Sequence, residues 1–405
     1  MRTRKNLFLL VALLYILYTI FPLFGDMLDI PVWLPSLGAF VIMFLLIPNA
    51  FANKMFFWFG VYAVVLAIYL FAGRPLTIGI GTVVDSKKIF IEYAYILPTL
   101  SILSILLYLK DPNLTRKMVL WSIAILYVSF VVAVPLMFRY NSLRSALAVE
   151  SQDIDIAGLP SYSLMHAYML FLPSICYATK RFKGKQKLLS LVGLIALCFV
   201  IYDTFVTTSL LIMLAVVCFT IFYSDDSKSL FWVFFGSGVM LFLFLYVSGF
   251  FIRVIDWLLP FFTGTPVIGK LLDIQASMYL GEITGGNLVT RQELHAISWR
   301  SFFQNPLFGT SVVGNHSSLI DRLGGMGLLA FIPFVMIIIT SFKRLKGLYR
   351  TKLTRVFFLL GLVSGVLLLY EKGLWGCESW LMYLVLMPFG IYVFENEGSR
   401  GEYVA

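Results

Sequence analysis

Between Thr290 and Gly327 the chain reads TRQELHAISWRSFFQNPLFGTSVVGNHSSLIDRLGGMG, which holds two of its three histidines (His295, His316) and the arginines Arg291, Arg300 and Arg322. Imidazole takes up and returns a proton near neutral pH, while guanidinium stays charged and holds phosphate oxygens two at a time. Together these residue types suit acid–base chemistry on a substrate that carries phosphate. Asn315 and Ser317, on either side of His316, add hydrogen-bonding groups at the same place.

Local pattern says how these groups are held. Thr290 with Glu293 three residues on is a capping-box pattern, so a helix is expected from Arg291 to just before Asn305-Pro306, where proline disfavours helical geometry in the preceding residue. Arg291, His295 and Trp299 then stack one turn apart. Two readings stay open for that face: a surface helix with its cations among lipid headgroups, or a phosphate-handling surface. Asn305–Gly309 is a turn by composition. Ser318 and Asp321 form a second capping-box pattern, which sets His316 and Ser317 at the N-terminus of an apolar helix. The positive end of such a helix attracts anions and disfavours a charged imidazole. His316 therefore reads either as a general base beside an anion or as a cap among headgroups.

This polar stretch interrupts a chain of hydrocarbon. The protein is 60% hydrophobic and only 13% charged, with a mean hydropathy of +0.91; a soluble domain carries about 25% charged residues. Apolar runs of about 20 residues, each enough to cross a bilayer, recur along the whole length, so one membrane domain over residues 1–405 is expected. The spans fall near 7–24, 33–50, 55–72, 89–109, 118–138, 161–179, 188–203, 206–223, 229–251, 323–341, 356–371 and 378–394. That makes an all-α polytopic fold of about twelve transmembrane helices. The first run is longer than a signal peptide's apolar region and lacks a small-residue cleavage site, so it reads as a retained helix.

Orientation follows from the short connections. KRFKGKQK at 180–187 and KRLKGLYRTKLTR at 343–355 fall on the same side as Met1, and twenty of the 31 basic residues lie on that side. By the positive-inside rule it is the cytoplasm, so both termini are cytoplasmic. The same bias accounts for the net charge of +10 without a nucleic-acid partner. Among the connections on the opposite side, only 252–322, between spans 9 and 10, is long enough to fold as a cap. It opens with FIRVIDWLLPFFTG, apolar and aromatic enough to lie in the interface plane. Arg253 in that opening, and Arg139 and Arg144 in the connection 139–160, are further candidates for binding an anion.

Other signals carry less. Cys176, Cys198, Cys218 and Cys377 lack the paired spacing of a metal site or disulfide framework and read as packing residues. Asp153-Ile154-Asp155, with Glu150 nearby, reads as a solvated loop. Of the ionisable residues in or near spans (Glu92, His166, Asp203, Glu371, Lys372, Glu378), most lie close to predicted ends.

Arg291, Trp299, the Asn305–Gly309 turn and NHSSLIDRLGGMGLLAF at 315–331 resemble the signature of the bacterial O-antigen ligase and polymerase superfamily, which includes Wzy-type polymerases. The family pattern is an Arg and a Trp, an N-P-x-x-G turn, and a His followed by Leu and spaced glycines entering a membrane helix. It covers about a tenth of the chain. Here Ser317 stands where the family often has Asn, and Gly324-Gly325-Met326-Gly327 lacks an acidic residue that is common before the glycine.

The resemblance implies a GT-C-like, metal-independent glycosyltransferase with no cofactor, in the bacterial cytoplasmic membrane. It would act on undecaprenyl-diphosphate-linked glycan among membrane lipid, with a chain-length regulator protein as a further partner. His316 would activate an acceptor hydroxyl. The diphosphate would be bound by Arg291 first, with Arg139, Arg144, Arg253, Arg300 and Arg322 as further candidates, and with His295, Asn315 and Ser317 nearby. Polymerisation of repeat units is the reading favoured; transfer to lipid A-core, or flipping of the lipid-linked glycan, are the alternatives.

Overall fold

The computed structural model describes residues 2–28, 30–72, 76–78, 82–84, 86–140, 143, 146, 156, 158–204, 207–223, 250–263, 268–269, 271–272, 275, 286–314, 316–371 and 376–401. For 25–26, 76–78, 82–84, 86–94, 162, 207–208, 250–252, 286–292 and 398–401 only the backbone is described. All but the last two residues of the expected span at 229–251, the acidic string around Asp153, and Arg144, Asn315 and Lys372 therefore lie outside the description, as do the side chains of Glu92 and Arg291.

The helices are α1 (Arg2–Ile20), α2 (Pro22–Leu28), α3 (Trp33–Leu46), α4 (Lys54–Phe71), α5 (Ser86–Leu109), α6 (Pro112–Tyr140), α7 (Tyr162–Arg181), α8 (Gly184–Asp203), α9 (Thr207–Phe222), α10 (Phe250–Leu258), α11 (Gly286–Gln304), α12 (Ser318–Lys346), α13 (Lys352–Glu371) and α14. The last runs from Cys377–Leu381 through a π turn at Met382–Leu386 into Met387–Gly401. Among the described residues seven helices are long and apolar enough to cross a membrane: α1, α4, α6, α8, α12, α13 and α14. Shorter apolar helices lie at Trp33–Leu46, Tyr95–Leu109 and Ser209–Phe222. Large apolar side chains point outward, with Phe71 88%, Val131 71% and Leu189 71% exposed. Water would not tolerate so much exposed hydrocarbon, and lipid does, so the chain is an all-α polytopic membrane protein.

Side-chain caps set several boundaries. Asn53 accepts hydrogen bonds from the Met55 and Phe56 N–H groups at the start of α4, and Ser161 does so from Leu164 at the start of α7. Asp111 accepts from Asn113 and Leu114 ahead of α6, whose first residue is Pro112. The break expected around Asp203-Thr204 is present, and Asp203 turns its carboxylate to the Leu143 N–H at 2.9 Å.

The core of the bundle is α7 and α14. Almost every described side chain of α7 from Leu164 to Ala178 is buried, including His166, and 89% of the α14 span is enclosed. Small residues on α13 allow that closeness: a Cβ on Gly365 would lie 2.0 Å from the Tyr383 ring, and one on Gly361 2.6 Å from Met387 Sδ. The two glycines leave room for large side chains of α14 against α13, in keeping with the enrichment of small residues at helix contacts in membranes.

Two ends of the bundle are defined by contacts. At one, Lys5 meets Asp111 at 2.7 Å, Arg116 meets Glu397 at 2.6 Å, and Glu395 accepts from the Thr351 N–H (2.8 Å) and the Thr354 hydroxyl (2.7 Å). At the other, Ser161 donates to Glu378 at 3.0 Å, and a cavity of about 400 Å³ opens between Tyr18, Pro31, Leu159 and Glu378.

A feature absent from the sequence reading is a three-stranded sheet. β1 (Leu76–Ile78) pairs antiparallel with β2 (Thr82–Val84), and pairs parallel with β3 (Val312–Val313) through Thr77 opposite Val312 and Ile78 opposite Val313. It ties the connection after α4 to the segment that leads into His316.

Candidate functional site

α11 carries Arg291, His295, Trp299 and Arg300 and ends at Gln304, where Pro306 stops it as expected. Its start differs from the capping-box expectation. The helix begins at Gly286, so Thr290 lies inside it, and the helix extends more than a turn further toward the N-terminus. Arg300 is exposed; Trp299 stacks on Phe303 with ring centroids 5.9 Å apart, and Phe303 is 72% exposed.

The turn at Asn305–Gly309 is present. The Gly309 N–H bonds the Asn305 carbonyl at 2.7 Å, and Gly309 has a positive φ of +67°. The turn is joined to α12 by backbone hydrogen bonds: Thr310 N–H to Gly324 O (3.1 Å), Ser311 N–H to Gly325 O (3.0 Å), Leu328 N–H to Pro306 O (2.9 Å) and Leu329 N–H to Leu307 O (3.2 Å). α12 needs these partners because Gly327, at φ 64° and ψ −169°, breaks it, freeing the groups a continuous helix would satisfy itself. That conformation is essentially reserved to glycine. On α4, the Tyr69 hydroxyl lies 2.7 Å from the Phe308 carbonyl and 2.8 Å from that of Met326, joining the break to the bundle.

His316 stands just before this broken helix. The cap is Ser317 rather than Ser318: its backbone is extended, and its hydroxyl accepts from the Ile320 N–H at 3.2 Å. Asp321 reaches back to accept from the Ser317 N–H (2.8 Å) and from the backbone of His316. The fully buried Ser298 of α11 donates to the same carboxylate at 2.6 Å and accepts from the Gly314 N–H at 2.8 Å. One side chain on α11 thus fixes both the strand before His316 and the helix after it. The expected anion at this helix end is in part the protein's own: the Asp321 carboxylate occupies the place where the dipole favours negative charge.

These contacts bring the two histidines together. The His295 and His316 rings lie 5.9 Å apart, tilted by 41°, and His295 also packs edge-on against Tyr370 of α13 at 5.6 Å. The Nε2 of His295 is shut off from solvent and has no protein hydrogen-bond partner among the described residues. Sequence spacing tied His295 to Arg291 alone, and the fold sets it beside His316 and Tyr370 as well.

The other candidates are dispersed. Arg322 is buried: its Nε donates to the Tyr62 hydroxyl (3.1 Å), an Nη donates to the Ser318 carbonyl (2.7 Å), and its guanidinium lies 4.3 Å over the Phe334 ring. It joins α12 to α4 through Tyr62. Arg139 ends α6 as an exposed residue, its guanidinium 5.3 Å from the adjacent Tyr140 ring. Arg253 is exposed on α10, where Trp257 (65%) also lies outward, as does Phe261 (67%) in the short 3-10 turn Leu259–Phe262 that follows, as an interfacial segment would present them. Among the described residues no three metal-ligating side chains converge.

The sequence reading did not single out Ser298, Tyr62, Tyr69 or Tyr370. The signal that could have found Ser298 is the glycines opposite it: Gly314 and Gly324 admit no Cβ because Leu294 and Ser298 carbonyls would lie 2.0 and 2.3 Å away. Fold and site together define a membrane-embedded helical protein with a histidine pair held at one end of the bundle. No protein-family model matches the chain, and no curated protein matches it either.

Proposed function

We propose that the protein is a metal-independent glycosyltransferase of twelve spans and GT-C-like arrangement. It polymerises undecaprenyl-diphosphate-linked oligosaccharide repeat units into O-antigen or capsular polysaccharide at the outer face of the bacterial cytoplasmic membrane. The observation that carries this reading is that the segments resembling the O-antigen ligase and polymerase signature fold into one backbone-joined unit, with His316 5.9 Å from a second imidazole.

In this reading His316 takes the proton from an acceptor sugar hydroxyl. The hydroxyl oxygen bonds to the anomeric carbon of the donor, and the bond from that carbon to the diphosphate breaks, its electron pair leaving with undecaprenyl diphosphate. Arg291, on the same helix as His295, would match the leaving charge, with Arg300 and Arg253 as further candidates, as guanidinium suits. The buried Arg322 holds the helices that carry the site. A chain-length regulator is the proposed protein partner.

The orientation is part of the proposal, with both termini cytoplasmic. What supports it is that connections assigned to one side meet one another, Lys5 with Asp111 and Arg350-Thr351 with Glu395, as do those assigned to the other side, 76–78 with 312–313.

Purified protein in nanodiscs, given only undecaprenyl-diphosphate repeat units, is expected to make a ladder of longer lipid-linked glycans. His316→Ala and Arg291→Ala should lose the ladder while remaining inserted and monodisperse; wild-type chain lengths from both would end the assignment. Product formed only when lipid A-core is added would make the protein a ligase, and movement of the glycan across the bilayer without bond formation would make it a transporter.

A further inference from the structure

At the end of the bundle opposite the histidines, α12 and α13 part to leave a cleft of about 530 Å³. Its rim carries Lys343, Lys346, Lys352 and Arg355, all exposed. Among the described residues none of the four is paired with a carboxylate, whereas the ion pairs of this end, Lys5–Asp111 and Arg116–Glu397, lie elsewhere. Arg355 is held in place by a hydrogen bond from its Nε to the Tyr349 carbonyl at 3.3 Å. Below the rim the walls are hydrocarbon, from Phe342 and Ile339 on α12 and Val356, Leu359 and Leu362 on α13.

The dimensions are those of one leaflet. At 1.5 Å per residue Leu362 lies about 15 Å along the helix from Lys352, half of a hydrocarbon core of about 30 Å. Four like charges over an apolar slot disfavour a zwitterionic headgroup and favour an anionic one, whose acyl chain can follow the walls. A basic turn read only for orientation would need its charges, not a slot between helices beneath them.

We propose that this cleft is a binding site for an anionic phospholipid of the leaflet at the basic end, its phosphate held by Lys343, Lys346, Lys352 and Arg355 and one acyl chain lying between α12 and α13. With four cations on the rim, a headgroup with two phosphates binds in preference to one with a single phosphate. The site is separate from the histidine pair and does not depend on the glycan reading.

The test is native mass spectrometry of the full-length protein titrated with cardiolipin, phosphatidylglycerol or phosphatidylcholine. Retention is expected in that order, and each rim cation changed to Gln should weaken cardiolipin about fivefold. Changing Lys183, Lys185 and Lys187 to Gln removes three cations outside the cleft and should leave retention intact. Val356→Trp fills the apolar wall without touching a charge and should lower cardiolipin retention, so the proposal stays testable if the Gln variants do not fold. Equal retention of phosphatidylcholine, equal loss in the control variant, an unaffected Val356→Trp, or displacement of cardiolipin by equimolar inorganic phosphate would each overturn it.

Discussion

Ser298 and Asp321 stand 23 positions apart and share one short hydrogen bond, and through it they set the backbone on both sides of His316. Asp321 accepts from three donors, and an amide in its place keeps only one acceptor oxygen. Asp321→Asn should therefore cost about 1–3 kcal/mol, as buried donors lose their acceptor. Ser298→Ala should cost less, and a double-mutant cycle read by thermal melts in detergent should give a coupling of about 1–2 kcal/mol. Additive losses would mean that the two side chains act separately. Arg322 makes a different point about single residues. Sequence position put it among the candidate phosphate ligands, and among the described residues its guanidinium meets Tyr62, Ser318 and Phe334. Arg322→Lys keeps the charge but not the planar fork, and should lower the melting temperature nearly as far as Arg322→Ala.

The broken α12 is the element on which the site depends. Gly327→Ala puts a side chain into a glycine-only conformation and within 2.3 Å of the Leu307 carbonyl. The conformational strain alone is about 1–3 kcal/mol, and the turn at 306–311 should undock as well. Hydrogen exchange at the amides of Thr310, Ser311, Leu328 and Leu329 should rise in this variant and remain slow in α7; uniform change across the protein would contradict a local role.

The turn and the stop of α11 were readable because proline and glycine act within a few residues. The break at Gly327 was not, since a glycine-rich start to an apolar run reads equally well as a continuous span. The cap was displaced by one residue because Ser317 and Ser318 are chemically alike and only backbone geometry separates them. The small sheet left no trace, because two- and three-residue strands are defined by their distant partners.

At the scale of the whole molecule, the membrane class was legible from composition, because exposed hydrocarbon has one stable solvent. Which helices form the centre was not, since nearly every span is equally apolar and α7 and α14 differ from the rest only in their neighbours. Near the basic end, the hydrogen bond from Lys5 holds the Asp111 carboxyl below its ordinary range, with the Leu114 N–H adding to the effect. A lowered folded-state value means that this pair stabilises the fold above the unfolded carboxylate value of about 3.9 and ceases to do so as pH falls through the folded one. Both side chains are about a quarter exposed, which limits the contribution to about 1 kcal/mol at most. The melting-temperature gap between wild type and Asp111→Asn should thus be constant from pH 7 to 5 and close below pH 4; a gap that persists in acid would assign the effect to something other than the charge.

The Tyr69 hydroxyl meets carbonyls 239 and 257 positions further along the chain. During synthesis at about 5–20 residues per second, Tyr69 emerges roughly 13 to 50 s before Met326. For that interval the hairpin of β1 and β2 has an open edge, the place β3 later takes, and nothing yet to dock against. The histidine pair is consequently among the last parts of the protein to be assembled, and a nascent chain arrested before residue 326 would carry most of the membrane helices but no site.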